Sequence, residues 1–206
     1  MEVVAVIDFE TTGLSPAQGD RATEIAAVIV EDGRIVDRYQ SLMNTGVRIP
    51  AFIEVLTGIS NAMTRQAPPA AQVMREVADF VGDYPLVAHN ASFDCKFWDA
   101  ELDRIQRRRR QDFVCSLLLS RRIFPLAPSH KLGALVEYAQ LPLAGRYHRA
   151  LADAEMAASL LTRLEAELRD RHRVAEVSVE LLRRIQGVPK SQLAKCLAGS
   201  AGGRSR

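Results

Sequence analysis

Three short stretches hold residues whose types and spacing could do chemistry. Asp8-Phe9-Glu10 closes an apolar run that begins at Val3. On a strand, residues i and i+2 face the same side, so these two carboxylates point together. Paired acids repel each other and are costly to desolvate, and a divalent cation relieves both penalties. All-oxygen ligation suits Mg²⁺ or Mn²⁺. His89-Asn90-Ala91-Ser92-Phe93-Asp94 sets a second acid in the first turn of an expected helix. Tyr147-His148-Arg149-Ala150-Leu151-Ala152-Asp153 sets a third acid on a helix and a histidine on the loop before it. There an imidazole can move and titrate near neutral pH, as a general base requires. Taken alone, each stretch also has a plain reading: a solvated strand end, a carboxylate complementing a helix dipole, an exposed histidine beside a helix acid. Thr11-Thr12-Gly13-Leu14 tips the first toward function, because a turn containing glycine lets backbone approach a phosphate closely.

The elements that must position these groups follow from hydrophobic pattern and turn chemistry. Val3–Asp8 reads as a buried strand. Ala22–Glu31 and Arg34–Met43 read as two more, joined by the hairpin signal Asp32-Gly33. Two or three short helices are expected across 51–82, broken at Pro68-Pro69. A short strand is expected at Pro85–His89, then a helix from an N-cap at Ser92 to about Arg107, and a last strand at Asp112–Cys115. Helices near 115–123 and 130–139 precede a long one from Ala150 to Arg171, with Leu160, Leu161, Leu164 and Leu168 at helical spacing. Three antiparallel strands followed by strand–helix crossovers give an α/β fold, a mixed sheet with helices on both faces. After Arg173, a single amphipathic helix is expected from Val174, Val177, Leu181 and Ile185, with disorder from about Gly199.

The chain has 206 residues, 48% hydrophobic and 25% charged, enough for one domain with an appendage. Its three cysteines include no C-x-x-C pair, which argues against a disulfide framework or structural zinc. The acidic start MEVVAVIDFE does not read as a signal peptide, and no apolar run approaches the roughly 18 residues of a membrane span, so a cytoplasmic protein is expected. The net charge of +2 hides an asymmetry: residues 163–206 hold ten Lys/Arg against five Asp/Glu. The run Arg107–Arg110 reads as a solvated helix end, favourable against the dipole.

Together, Asp8-Phe9-Glu10-Thr11-Thr12-Gly13-Leu14, His89 to Asp94 and His148 to Asp153 resemble the three motifs of the DEDD exonuclease superfamily, in its DnaQ-like histidine branch (DEDDh). The first motif is most similar to the proofreading-subunit type, that of DNA polymerase III epsilon. The resemblance spans about residues 1–170 and implies a ribonuclease H-like fold. It implies an exonuclease domain at 1–172 and a C-terminal extension at 173–206 that could bind a polymerase or fold back. It implies a 3′→5′ exonuclease with two divalent ions, Mg²⁺ or Mn²⁺, held by Asp8, Glu10, Asp94 and Asp153, and His148 as general base. Thr11, Thr12, Leu14, Ile59, Asn90 and Phe93 match positions beside the terminal nucleotide, although core packing is the alternative for Leu14 and Ile59. His89 reads equally as a structural histidine. The tyrosine branch is excluded, because Arg149 stands four residues before Asp153. Single-stranded DNA is the expected substrate, with RNA or a partner-dependent binding module as alternatives. A haloacid-dehalogenase phosphatase would read Asp-x-Asp and lack the third motif.

Overall fold

The computed structural model describes residues 2–142 and 148–201. Strand β1 (Val4–Thr11) is central because both of its faces are apolar. Val4 and Val6 point to one side, Ala5, Ile7 and Phe9 to the other, and all five are buried. It pairs antiparallel with β2 (Ala22–Glu31), which pairs antiparallel with β3 (Arg34–Leu42). The β2–β3 turn is the expected one: Asp32 and Gly33 both take positive φ, 48° and 72°, the twist a two-residue hairpin needs.

Three short helices follow, α1 (Ala51–Thr57), α2 (Asn61–Gln66) and α3 (Ala70–Val81). Strand β4 (Leu86–Ala88) lies parallel to β1, and β5 (Phe113–Cys115) lies parallel to β4, giving the sheet order β3-β2-β1-β4-β5. Helix α4 (Ala91–Arg104) connects β4 to β5. With α3 it covers the Ala5/Ile7/Phe9 face, through Val73, Met74, Val77, Phe97 and Trp98. The other face is covered by α5 (Ser116–Ile123), α6 (Leu132–Tyr138), α7 (Ala150–Asp170) and α8 (Val179–Gly187). A last helix, α9 (Leu193–Ala201), packs against α8. Among the described residues no helix is long and apolar enough to cross a membrane.

Several local expectations need correction. The N-cap of α4 is Asn90, not Ser92; it sits at φ 71°, ψ 45° with no side-chain capping bond, because the chain turns straight from β4 into the helix. Helix α4 stops at Arg104 rather than near Arg107. Gln106 takes φ 58°, donating its N–H to Asp103 O, while Arg107 N–H reaches Leu102 O. That is a Schellman stop without its usual glycine, so no sequence signal marked it. The arginine run beyond it is partly paired, Arg107 with Asp79 and Arg109 with Asp99. The C-terminal helix begins only at Val179, where the Ser178 hydroxyl accepts the Leu181 N–H. Val174 and Val177 precede it, yet both join the same core as α7. Helix α9 continues past Gly199 to Ala201, and residues 202–206 lie outside the described residues.

Candidate active site

Asp8 and Glu10 continue the face of β1 begun by Val4 and Val6, the face that carries α7. The strand outruns its neighbour here: β4 pairs only at Ala5↔Leu86 and Val6↔Val87 before the chain turns away. That leaves the Phe9 N–H without a strand partner, and Asp94 Oδ1 accepts it at 3.2 Å. Asp94, from the first turn of α4, is buried. Opposite, β1 and β2 slip register between Glu10 and Thr11, a bulge at the strand end next to the acids.

Asp153 enters from the first turn of α7. Its Oδ2 accepts the backbone N–H of His148 at 3.0 Å, and its own N–H donates to Arg149 O at 3.1 Å. His148 is exposed and stands at φ 61°, a left-handed conformation costing a non-glycine residue on the order of 1–3 kcal/mol. Glu10, His148 and Asp153 each bring one potential ligand atom within 4.8 Å of the others.

Electrostatics show how uncomfortable this cluster is without a cation. Burial, followed by the charges of Asp94, Asp153, Glu10 and Glu24, pushes the Asp8 carboxyl well above its ordinary range. Burial and then Asp153 and Glu24 push Glu10 up to about 8, with Arg149 pulling the other way. Burial raises Asp94 to about 7 against its hydrogen bond from Phe9, and burial raises Asp153 against the bond from His148. Buried and half-buried carboxylates held together at this cost fit a hard divalent cation and its oxygen preference.

The flanking candidates divide. Leu14 is 79% exposed on the turn after β1. Thr11 and Thr12 are buried, and their hydroxyls are engaged within the turn: Thr11 Oγ1 donates to Gly13 O at 2.6 Å, and Thr12 Oγ1 accepts the Arg21 N–H at 3.0 Å. A Cβ at Gly13 would run into the Asp20 carboxylate, which itself accepts the Ser15 N–H at 2.9 Å. Asn90 is exposed, and Phe93, half-buried, packs with its ring tilted against that of Phe97, 4.9 Å between centroids. Ile59 is 0% exposed, as its core-packing alternative expects. His89 bridges Ser116 Oγ and His130 O, each at 3.0 Å, and burial holds its pKa down to about 4. It is a neutral cross-link. Tyr147 lies outside the described residues.

Sequence reasoning missed Glu24. It stands directly across from Glu10 in the β1–β2 register, 1% exposed, bound to Arg149 and to the N–H of Ala150. The signal was present: one charge inside the apolar run Ala22–Val30, on the same face as Ala26 and Val28.

The RNase_T family model, described as Exonuclease, matches residues 5–161. The chain belongs to this exonuclease family. It is similar to the 3′-5′ exonuclease DinG of Bacillus subtilis, 39% identical over 165 residues, which make up 80% of this chain and 18% of the relative. It is also similar to a PolC-type DNA polymerase III of Bacillus cereus, 37% identical over 164 residues, covering 79% of this chain and 11% of that one. The chain therefore matches less than a fifth of either relative. Among solved structures, exonuclease X in complex with 5′ overhanging duplex DNA aligns with a TM-score of 0.69 at 28% identity, over 89% of this chain and 99% of that one. The mixed five-stranded sheet is thus the ribonuclease H-like sheet of these exonucleases.

Proposed function

We propose that the chain is a metal-dependent 3′→5′ exonuclease that shortens single-stranded DNA to nucleoside 5′-monophosphates, in proofreading or repair. The observation that carries this reading is the convergence of Asp8, Glu10, Asp94 and Asp153 from β1, α4 and α7, with His148 beside Glu10 and Asp153. The names of the relatives, a 3′-5′ exonuclease and a DNA polymerase, support it, as does the DNA complex of exonuclease X.

Asp8, Glu10, Asp94 and Asp153 would hold two divalent ions, Mg²⁺ or Mn²⁺, which lower the pKa of the attacking water and offset charge on the leaving oxygen. Four carboxylates alone repel a phosphodiester, so these residues admit substrate only when their charge is balanced. His148 takes the proton of the attacking water as its oxygen bonds to phosphorus. The P–O3′ bond breaks and the departing 3′-oxygen gains a proton from solvent. Leu14 offers an exposed apolar side chain to the terminal base, with Asn90 and Phe93 flanking the Asp94 turn. Backbone groups of Thr11 and Thr12, rather than their hydroxyls, are the available contacts to the sugar. A polymerase partner would have to use a surface other than the apolar face of α8, since Leu181, Leu182 and Ile185 are buried in the chain's own core.

A time course on 5′-labelled single-stranded DNA and RNA of one sequence, with Mg²⁺, Mn²⁺ or EDTA, tests this. A metal-dependent ladder shortening from the 3′ end of DNA is expected. Intact DNA with either ion, from folded protein, would overturn the proposal, and a ladder on RNA alone would replace its substrate.

A further inference from the structure

His148 is held through the residue that follows it. The next residue, Arg149, lays its guanidinium along Glu24 as a fork, Nε to Oε2 at 3.1 Å and Nη2 to Oε1 at 2.7 Å. Glu24 Oε2 also accepts the Ala150 N–H at 3.1 Å, and Oε1 accepts Gln40 Nε2 at 2.8 Å. Arg149 is the N-cap of α7 but makes no side-chain capping bond, so a carboxylate from another strand caps that helix in its place. Both oxygens of this buried acid are satisfied twice. Such a set of partners lets a charge sit in the interior and fixes where its partner stands.

A chain of fixed spacings follows. Glu10 is set against Glu24 by the sheet register, Glu24 holds Arg149, and His148 is the residue just before Arg149. The left-handed backbone of His148, unfavourable for its residue type, then turns its N–H onto Asp153 Oδ2. A strained conformation persists where its surroundings over-determine it, and here the fork and the Asp153 bond do so from adjacent residues.

We infer that the Glu24–Arg149 pair is a positioning device that sets His148 against Glu10 and Asp153, rather than a structural ion pair that happens to lie near the site. The inference rests on the exonuclease reading for its consequence in catalysis. It rests on geometry alone for the placement of His148.

Two variants test it in the full chain. Arg149→Lys keeps the charge and loses the fork. Glu24→Gln with Arg149→Met removes both charges, so that no unpaired ion is left buried. In metal-free protein, amide exchange of His148 is expected to accelerate in both variants, while the amides of Leu160 and Leu161 inside α7 keep their protection. With DNA substrate, kcat should fall about 10–100-fold in both, with KM and the Mn²⁺ affinity measured calorimetrically without DNA staying within about threefold. Unchanged His148 exchange in Arg149→Lys would overturn the inference. Full recovery of kcat in Arg149→Lys would also overturn it, because charge alone would then suffice. A kcat loss matched by lost Mn²⁺ affinity would do the same, since the pair would then serve the acids and not the histidine. An inactive wild type would sink the exonuclease reading, and the exchange comparison would still decide the placement of His148.

Discussion

The side-chain amide of Gln186 stands beside Cys115 where a sixth strand would lie. Its Oε1 accepts the Cys115 N–H at 2.7 Å and its Nε2 donates to Phe113 O at 3.2 Å, so one residue of α8 covers the outer edge of β5. On the inner edge, Leu86 N–H donates to Asp112 O at 2.8 Å. An uncovered edge would leave backbone groups unpaired and open to pairing with another chain.

Gln186→Ala removes both bonds. It should cost about 1–3 kcal/mol of unfolding free energy, read as a lower urea midpoint at unchanged slope. Ending the chain at residue 172 should be far worse, because Val177, Val179, Leu181, Leu182 and Ile185 leave the core they share with α7. Aggregation on size-exclusion chromatography is the expected outcome. A soluble, cooperatively folding 1–172 fragment would show that the extension is dispensable to the fold.

Asp94 accepts the Phe9 N–H and, in the proposed function, also holds metal, and substitution can separate the two. Asp94→Asn keeps an oxygen for the Phe9 N–H but loses the charge, so the fold should hold while exonuclease activity disappears. Asp94→Ala also strands that amide and should lie about 1–3 kcal/mol below Asp94→Asn in stability. Equal stability of the two would show that the hydrogen bond contributes nothing.

The raised carboxyls give stability a definite pH slope. Glu10 at about 8 and Asp94 at about 7 keep their protons in the folded protein after the unfolded chain, with pKa values near 4, has lost them. Protons therefore favour the fold, and the metal-free protein should lose stability as pH rises from about 4 to about 8. Mn²⁺ requires the ionised acids, so its increment in Tm should be larger at pH 8 than at pH 5.5. Glu10→Gln should flatten part of the metal-free slope. A slope of opposite sign, or one that Glu10→Gln leaves untouched, would contradict this account of the site.

Two histidines should respond in opposite ways. His148→Gln, at an exposed position, should leave Tm nearly unchanged and lower kcat by about 10²–10⁴-fold, the usual worth of a general base. His89→Leu should lower Tm by removing the bridge between Ser116 and His130, while activity per folded molecule stays near wild type.

Which of these features could be read in the sequence has a physical pattern. The acids at 8, 10, 94 and 153 and the histidine at 148 stand out only through the resemblance of three motifs taken together, since each motif alone also has a plain reading, whereas Asp32-Gly33 declares its turn because few other residues accept two positive φ angles. Features that rest on a partner far along the chain were not legible. Glu24 matters through Arg149, 125 residues on, and Gln186 through Phe113 and Cys115. The end of α4 is not legible because Gln106 adopts a conformation normally signalled by glycine, and Ser92 looks like a cap in sequence although Asn90 occupies that position with backbone alone. Ile59 illustrates the remaining ambiguity: an apolar residue beside a glycine looks the same in sequence whether it faces a base or the interior, and here it faces the interior.

The central claim is that this site directs water onto the phosphorus of the 3′-terminal linkage. Its most direct test is a single-turnover reaction in H₂¹⁸O with Mn²⁺, analysed by mass spectrometry, with Asp8→Ala alongside. The account predicts nucleoside 5′-monophosphate carrying one ¹⁸O in its phosphate, formed by wild type and absent with the variant. Products bearing a 3′-phosphate, fragments from internal cleavage, or equal yield from Asp8→Ala would contradict it.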